Sequence, residues 1–320
     1  MVSSFSADRF LNVSDSNAKE LGSWKYSTGI RISFTLLFSI VVALGTCGNS
    51  LVIVAVKWKK VSQTSTNFLL ANLAVADITT LLFGIPDAIM LFVVRNHPGG
   101  AIGTILCKFI TFGTVTLVTS VASVLTLLLI SWERYWAIVR PLREGTFLKL
   151  TKKGTKHAVI GLWLIAVVFG LPVIVGASFS KEKMECVWVM DYNGKRVYIF
   201  FFLVMFYIFP VLILSYSYFG IVRAIYSDQV VNPGGLSREE DLRSRLKIVK
   251  TLIIVTVVFI VCLGVFGTFW LMFYQDLISD VVFRVAVLFL FLNAAVNPLI
   301  YTWQSTSYRA AFKQLCLSCS

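Results

Sequence analysis

The chain has 320 residues, of which 57% are hydrophobic and 14% charged, and it carries a formal net charge of +13. Its mean hydropathy is +0.81. A soluble protein of this size needs far more polar surface, and nucleic-acid binding needs a basic soluble domain that the sequence lacks, so composition leaves the membrane class.

Residues 1–31 are polar and lack an apolar core, which predicts an outer segment without a cleaved signal peptide. The first span would then act as the targeting signal. Asn12-Val13-Ser14 in this segment is a glycosylation sequon at Asn12. Seven apolar stretches follow, at 32–56, 68–94, 109–132, 158–179, 197–222, 251–275 and 285–303, each near or above the ~20 residues that cross a bilayer. Six of the seven contain no Asp, Glu, Lys or Arg; the second holds Asp77 and Asp87. With the N-terminus outside, the inner segments hold 18 of the 29 lysines and arginines, the asymmetry that the positive-inside rule expects.

The connections are short. The longest polar stretches, 133–157 and 223–250, are too small for a soluble catalytic domain. Neither His97 nor His157 lies in a span, and no Cys/His metal spacing appears, so an enzyme is not expected. The second half does not repeat the first, which argues against a transporter or ion pump built on Asp77. Asn232-Pro233-Gly234-Gly235 marks a turn, and Ser237-Arg238-Glu239-Glu240 resembles a capping box that opens the sixth helix early, on the inner side. After the last span, Tyr308, Ala311, Phe312 and Leu315 recur at helical spacing, with Arg309 and Lys313 between them. This predicts a short amphipathic helix in the inner membrane interface. The expected fold is an all-α membrane protein: a polar segment over 1–31, a seven-transmembrane helix bundle over 32–303, and an amphipathic helix with tail over 304–320.

Several residues are costly in lipid. A charged side chain such as Asp77 costs ~2.5–3.5 kcal/mol at a helix centre, so a partner or ion is expected beside it. Ser123, Asn293 and Asn297 can share that site, as can Asn49. Asn297 and Pro298 need compensating partners of their own.

In order along the chain, Gly48-Asn49, Leu73-Ala74-Val75-Ala76-Asp77, Glu133-Arg134-Tyr135, Trp163, Pro210, Tyr218 and Asn297-Pro298-Leu299-Ile300-Tyr301 resemble the marks of rhodopsin-like (class A) G-protein-coupled receptors. The likeness covers nearly the whole chain. It implies a plasma-membrane receptor that passes extracellular ligand binding to a heterotrimeric G protein, with arrestin and membrane lipids as further partners. Glu133 would restrain Arg134 at rest, and Tyr218 and Tyr301 would swing toward Arg134 on activation. Val124, Pro210 and Phe259 match the family's packing switch. A sodium ion would sit at Asp77 and Ser123, whose oxygens suit a hard cation; no other cofactor is expected. Cys107 and Cys186 would form a disulfide on the oxidising face. Cys316 and Cys319 suit palmitoylation.

Two departures stand out. Span 6 reads Cys262-Leu263-Gly264-Val265 where the family carries Cys-Trp-x-Pro, so the toggle tryptophan and the kinking proline are absent. Cys107 also lies two residues farther from Arg134 than is common in the family, which predicts a bulge or extra turn at the top of span 3. Such a receptor could signal weakly or act as a decoy.

The amine-binding aspartate position of the family falls on Thr116, and the retinal lysine position on Phe291, so neither an amine nor light is the expected input. A mixed charged and aromatic outer surface favours a peptide over a lipid or other small organic ligand. Thr116, Ser120, Glu185, Trp188, Trp270, Tyr274, Phe283 and Val287 are the candidate ligand residues. The second outer loop, near 181–196, resembles the short hairpin of peptide receptors.

Overall fold

The computed structural model describes residues 26–58, 60–62, 64–92, 94, 97–139, 152–231, 236–275 and 277–318. Asn12 and Cys319 lie outside these residues. The side chains of Tyr274 and Cys316 also fall outside the description.

Seven described helices are long and apolar enough to cross a membrane: Thr28–Lys57, Ser65–Met90, Gly100–Val139, Lys153–Gly176, Asn193–Tyr226, Val249–Phe273 and Asp280–Gln304. They are called spans 1 to 7 below. Lipid cannot hydrogen-bond exposed backbone, so helices satisfy their amides internally and stack into one bundle. A further helix, Thr306–Ser318, turns off the end of span 7 after Ser305.

Spans 1, 2 and 7 pack closely because small residues sit at the crossings. A Cβ at Gly45 would lie 2.6 Å from Leu81 Cδ1, and one at Gly48 would lie 2.8 Å from Pro298 Cβ. Polar cross-links tie spans 2, 3 and 4. Asn72 Nδ2 donates to Thr126 Oγ1 at 2.9 Å, and Trp163 Nε1 donates to Asn72 Oδ1 at 3.1 Å.

Span 3 is not one regular helix. A helix over Gly100–Leu106 runs into a π-helical turn at Cys107–Thr111, and α-helix resumes at Thr114–Val139. The break falls at Phe112–Gly113, where Gly113 has φ +62°, a conformation that suits a residue without Cβ. Thr114 Oγ1 donates to the Lys108 carbonyl and so satisfies a backbone acceptor at the break. These irregularities take up the surplus residues between Cys107 and Arg134. Span 5 carries a second π-turn at Val204–Ile208, ending two residues before Pro210. Proline has no N–H to donate four residues back, and a widened turn is one way a helix accommodates that loss.

Several sequence-based boundaries move. Span 3 begins at Gly100 rather than 109, and span 5 becomes helical at Tyr192 rather than 197. Lys195 and Arg196 therefore belong to a helix, and the preceding hairpin comes earlier. Strand β1 (Ala177–Ser180) pairs antiparallel with β2 (Glu185–Trp188), Phe179 opposite Cys186. Span 7 begins at Asp280 and includes Arg284, so it does carry charge. Arg284 Nε lies 3.7 Å from Asp280 Oδ2, and this i,i+4 pairing lowers the cost of both charges near a span end. The sixth helix begins at Leu236 and runs to Tyr274, 39 residues, well beyond the apolar part of its span.

Candidate functional site

The chain's chemistry is arranged at three levels between the hairpin end of the bundle and the Arg134 end. At the hairpin end, Cys107 and Cys186 form a disulfide with Cα atoms 5.5 Å apart. It pins β2 to the π-turn of span 3. Imidazole Nδ1 of His97 lies 2.9 Å from the Pro98 carbonyl, which can only accept, so Nδ1 carries the proton. Nε2 lies 3.1 Å from Thr111 Oγ1 and 3.1 Å from Cys186 Sγ.

Beneath the hairpin is a cavity of about 580 Å³. Thr116, Ser120, Glu185, Trp188, Trp270, Phe283 and Val287 all line it. Its aromatic wall is continuous: the Phe202 and Trp270 ring centroids are 5.6 Å apart, those of Phe266 and Trp270 5.7 Å, and those of Phe273 and Phe283 4.5 Å. The lining also includes Asp87, Asp280, Arg284, His97 and Tyr207, to which sequence reading assigned no ligand role. The Arg284 guanidinium acts electrostatically on Asp87 and also pairs with Asp280. The described lining thus holds three carboxylates, those of Asp87, Glu185 and Asp280, and one guanidinium, in a chain that is strongly basic overall. The floor reaches Leu263 and Val124, so the cavity descends to the level where the usual tryptophan is missing.

At mid-depth lies the polar core. Asp77 is 1% exposed. Ser123 Oγ donates to its Oδ1 at 3.1 Å, and Asn297 Nδ2 donates to its Oδ2 at 2.8 Å. Asn293, 9% exposed, is one turn before Asn297 on the same helix. Asn49 does not join this carboxylate by hydrogen bond. Its Nδ2 instead donates to the carbonyls of Gly45 at 2.9 Å and Ala294 at 3.0 Å. Val124 and Phe259 are buried in one apolar cluster, and Pro210 is buried on span 5.

At the far end, Arg134 Nε lies 3.8 Å from Glu133 Oε2. Neighbouring helical residues do not face one another, and Thr66 of span 2 closes the gap. Arg134 Nη2 donates to Thr66 Oγ1, and that hydroxyl donates to Glu133 Oε2. Sequence reading missed Thr66, since a threonine at a span end carries no signal of its own. Tyr135 packs into the space over Gly220, where an added Cβ would come 2.6 Å from its ring. Tyr218 is 8% exposed, and its hydroxyl accepts from Thr256 Oγ1 at 3.3 Å. Tyr301 is 2% exposed, with its ring 5.9 Å from that of Tyr308. Among the described contacts, neither Tyr218 nor Tyr301 hydrogen-bonds Arg134. Tyr308 anchors the last helix by donating its hydroxyl to Asn67 Oδ1 at 3.2 Å.

Comparison with known proteins agrees with this arrangement. The family profile described as "7 transmembrane receptor (rhodopsin family)" matches residues 48–301. The chain is 27% identical to the allatostatin-A receptor of Bombyx mori over 296 residues, covering 88% of this chain and 78% of that receptor. It is 27% identical to the somatostatin receptor type 1 of Mus musculus over 317 residues, covering 94% and 76%. With the galanin receptor 2b of Danio rerio it shares 29% identity over 318 residues, covering 93% and 79%. The match extends from Gly48 to Tyr301 and takes in the polar core, most of the cavity lining on one side of it and the Glu133-Arg134-Tyr135 end on the other: the chain belongs to the rhodopsin family of seven-transmembrane receptors.

Proposed function

We propose that the chain is a plasma-membrane receptor for an extracellular peptide, with its N-terminus and hairpin outside and its Arg134 end in the cytosol. Ligand in the cavity would drive the inner end of span 6 outward, freeing Arg134 to engage a heterotrimeric G protein, with arrestin as a further partner. The observation that carries this reading is that one bundle holds an aromatic, charged cavity at one end and a restrained arginine at the other. The names of the relatives, all peptide receptors, support the ligand class. The excess of carboxylates in the lining suits a peptide with a cationic group beside aromatic ones.

Asp77 and Ser123 fit the sodium ion that the family implies. Among the described residues the buried carboxylate has no cationic partner, and carboxylate and hydroxyl oxygens are hard donors. Asn293 would complete the set. Bound there, sodium would neutralise Asp77 and favour the resting packing of spans 2, 3 and 7.

The test is to express the chain with G-protein dissociation sensors and challenge it with pooled peptides, lipids and amines, using Arg134→Ala as the control. A response to cationic peptide fractions, weakened by Asp87→Asn and lost in Arg134→Ala, is expected. Surface-expressed protein that binds a peptide pool without any sensor response would instead favour a decoy receptor, a reading motivated by Leu263 and Val265 in span 6.

A further inference from the structure

Span 6 carries Leu263 at the position where the family resemblance places a toggle tryptophan. An aromatic ring does reach that level, but from span 5. Tyr207 sits in the π-turn Val204–Ile208, and its ring lies against Gly264. A Cβ at residue 264 would come 2.4 Å from Tyr207 Oη and 3.0 Å from its Cζ. One turn along, a Cβ at Gly267 would come 2.6 Å from Leu203 Cδ2. Span 6 therefore offers two side-chain-free positions, and span 5 fills both. Tyr207 and Leu203 both line the cavity. Tyr207 also packs against the apolar cluster that holds Leu263, Phe259 and Val124. One side chain thus touches the ligand space, the bare face of span 6 and the core beneath it.

We infer that Tyr207, seated on Gly264, is the residue that transmits ligand occupancy to span 6 in this receptor. Packed interfaces shift between discrete arrangements rather than deforming smoothly, so displacing this ring must re-seat the two helices. The π-turn places Tyr207 in an unwound stretch of helix, a local irregularity often found at functional positions. Leu263, which cannot present an aromatic ring, lines the cavity together with Tyr207. This is a positioning role, and it rests on the receptor reading above.

The test is a double-mutant cycle read as movement of span 6, with no G protein required. Spin labels at Lys57→Cys and Lys250→Cys report the distance between the ends of spans 1 and 6 in nanodiscs, in protein whose Cys47, Cys262, Cys316 and Cys319 are alanine. Gly264→Ala should change the balance of distance populations at least twofold, because the added methyl expels the Tyr207 ring. In a Tyr207→Ala background the same substitution should change nothing. Tyr207→Phe, which removes only the atom nearest Gly264 and is not expected to disturb folding, should shift the populations by itself. Equal effects of Gly264→Ala in both backgrounds, or no effect of Tyr207→Phe, would overturn the inference. Distance changes without any nucleotide exchange on any G protein would keep the Tyr207–Gly264 coupling of spans 5 and 6 while removing the receptor reading; distances and exchange that move together support both.

Discussion

Asn49 on span 1 donates to the carbonyl of Ala294 on span 7 at 3.0 Å, and Ala294 lies four residues before Pro298. That carbonyl is the one a proline leaves without its helical N–H. The asparagine of span 1 thus supplies a donor to the acceptor that the proline of span 7 leaves open. Asn49→Ala should leave the acceptor buried and unpaired, which costs about 1–3 kcal/mol. A thermal melt of the purified protein checks this: a clearly lowered midpoint is expected, with Asn49→Gln recovering little because its longer chain cannot fit the space beside Gly48.

Thr66 bridges Glu133 and Arg134 while contributing no charge of its own. Thr66→Val keeps the shape and removes the bridge. Basal nucleotide exchange on the coupled G protein should rise severalfold, and unchanged basal exchange at equal surface density would show that the bridge does not restrain Arg134.

Asp77 is almost fully buried among Ser123 and Asn297. A ligand that binds only the folded state stabilises by RT ln(1 + [L]/Kd). Replacing choline chloride by sodium chloride at constant ionic strength should therefore raise the melting midpoint of the wild type. In Asp77→Asn that increment should disappear, and a retained sodium response would move the ion elsewhere.

The Cys107–Cys186 bond closes a loop with a sequence separation of 79 residues. Chain entropy alone makes such a closure worth about 4–5 kcal/mol. The double variant Cys107→Ser with Cys186→Ser should lose that stability and release the hairpin from the cavity. Peptide response should fall further than surface expression does.

Tyr308 lies on the last helix, outside the seven spans, and burial pushes its phenol above the ordinary tyrosine range. A raised folded-state pKa means that its contribution is complete below the unfolded value near 10 and is lost as pH rises beyond it. Melting points should show no Tyr308-dependent change up to about pH 9. Tyr308→Phe should cost about 0.5–1.5 kcal/mol through the lost bond to Asn67.

What the sequence disclosed follows from what lipid penalises. Asp77, Asn297 and Pro298 announce themselves because each carries a cost in hydrocarbon, and two of them prove to be direct partners. The surplus between Cys107 and Arg134 announced an irregular top of span 3, and the structure puts a π-turn and a glycine break there. The seventh apolar stretch starts at 285 and leaves Asp280 and Arg284 outside it; only their i,i+4 spacing shows that they can enter a helix together. Thr66 and Tyr207 were silent for another reason. Threonine and tyrosine are unremarkable in a span, and their roles arise only from a partner on another helix, Arg134 in one case and Gly264 in the other.

The central claim is that cavity occupancy at one end frees Arg134 at the other. The most direct measurement is nucleotide exchange by purified heterotrimeric G proteins with the receptor in nanodiscs, with and without the active peptide fraction, for the wild type and for Arg134→Ala. The account predicts acceleration by peptide in the wild type and none in Arg134→Ala, with peptide binding retained in both. Equal acceleration in the two proteins would contradict it.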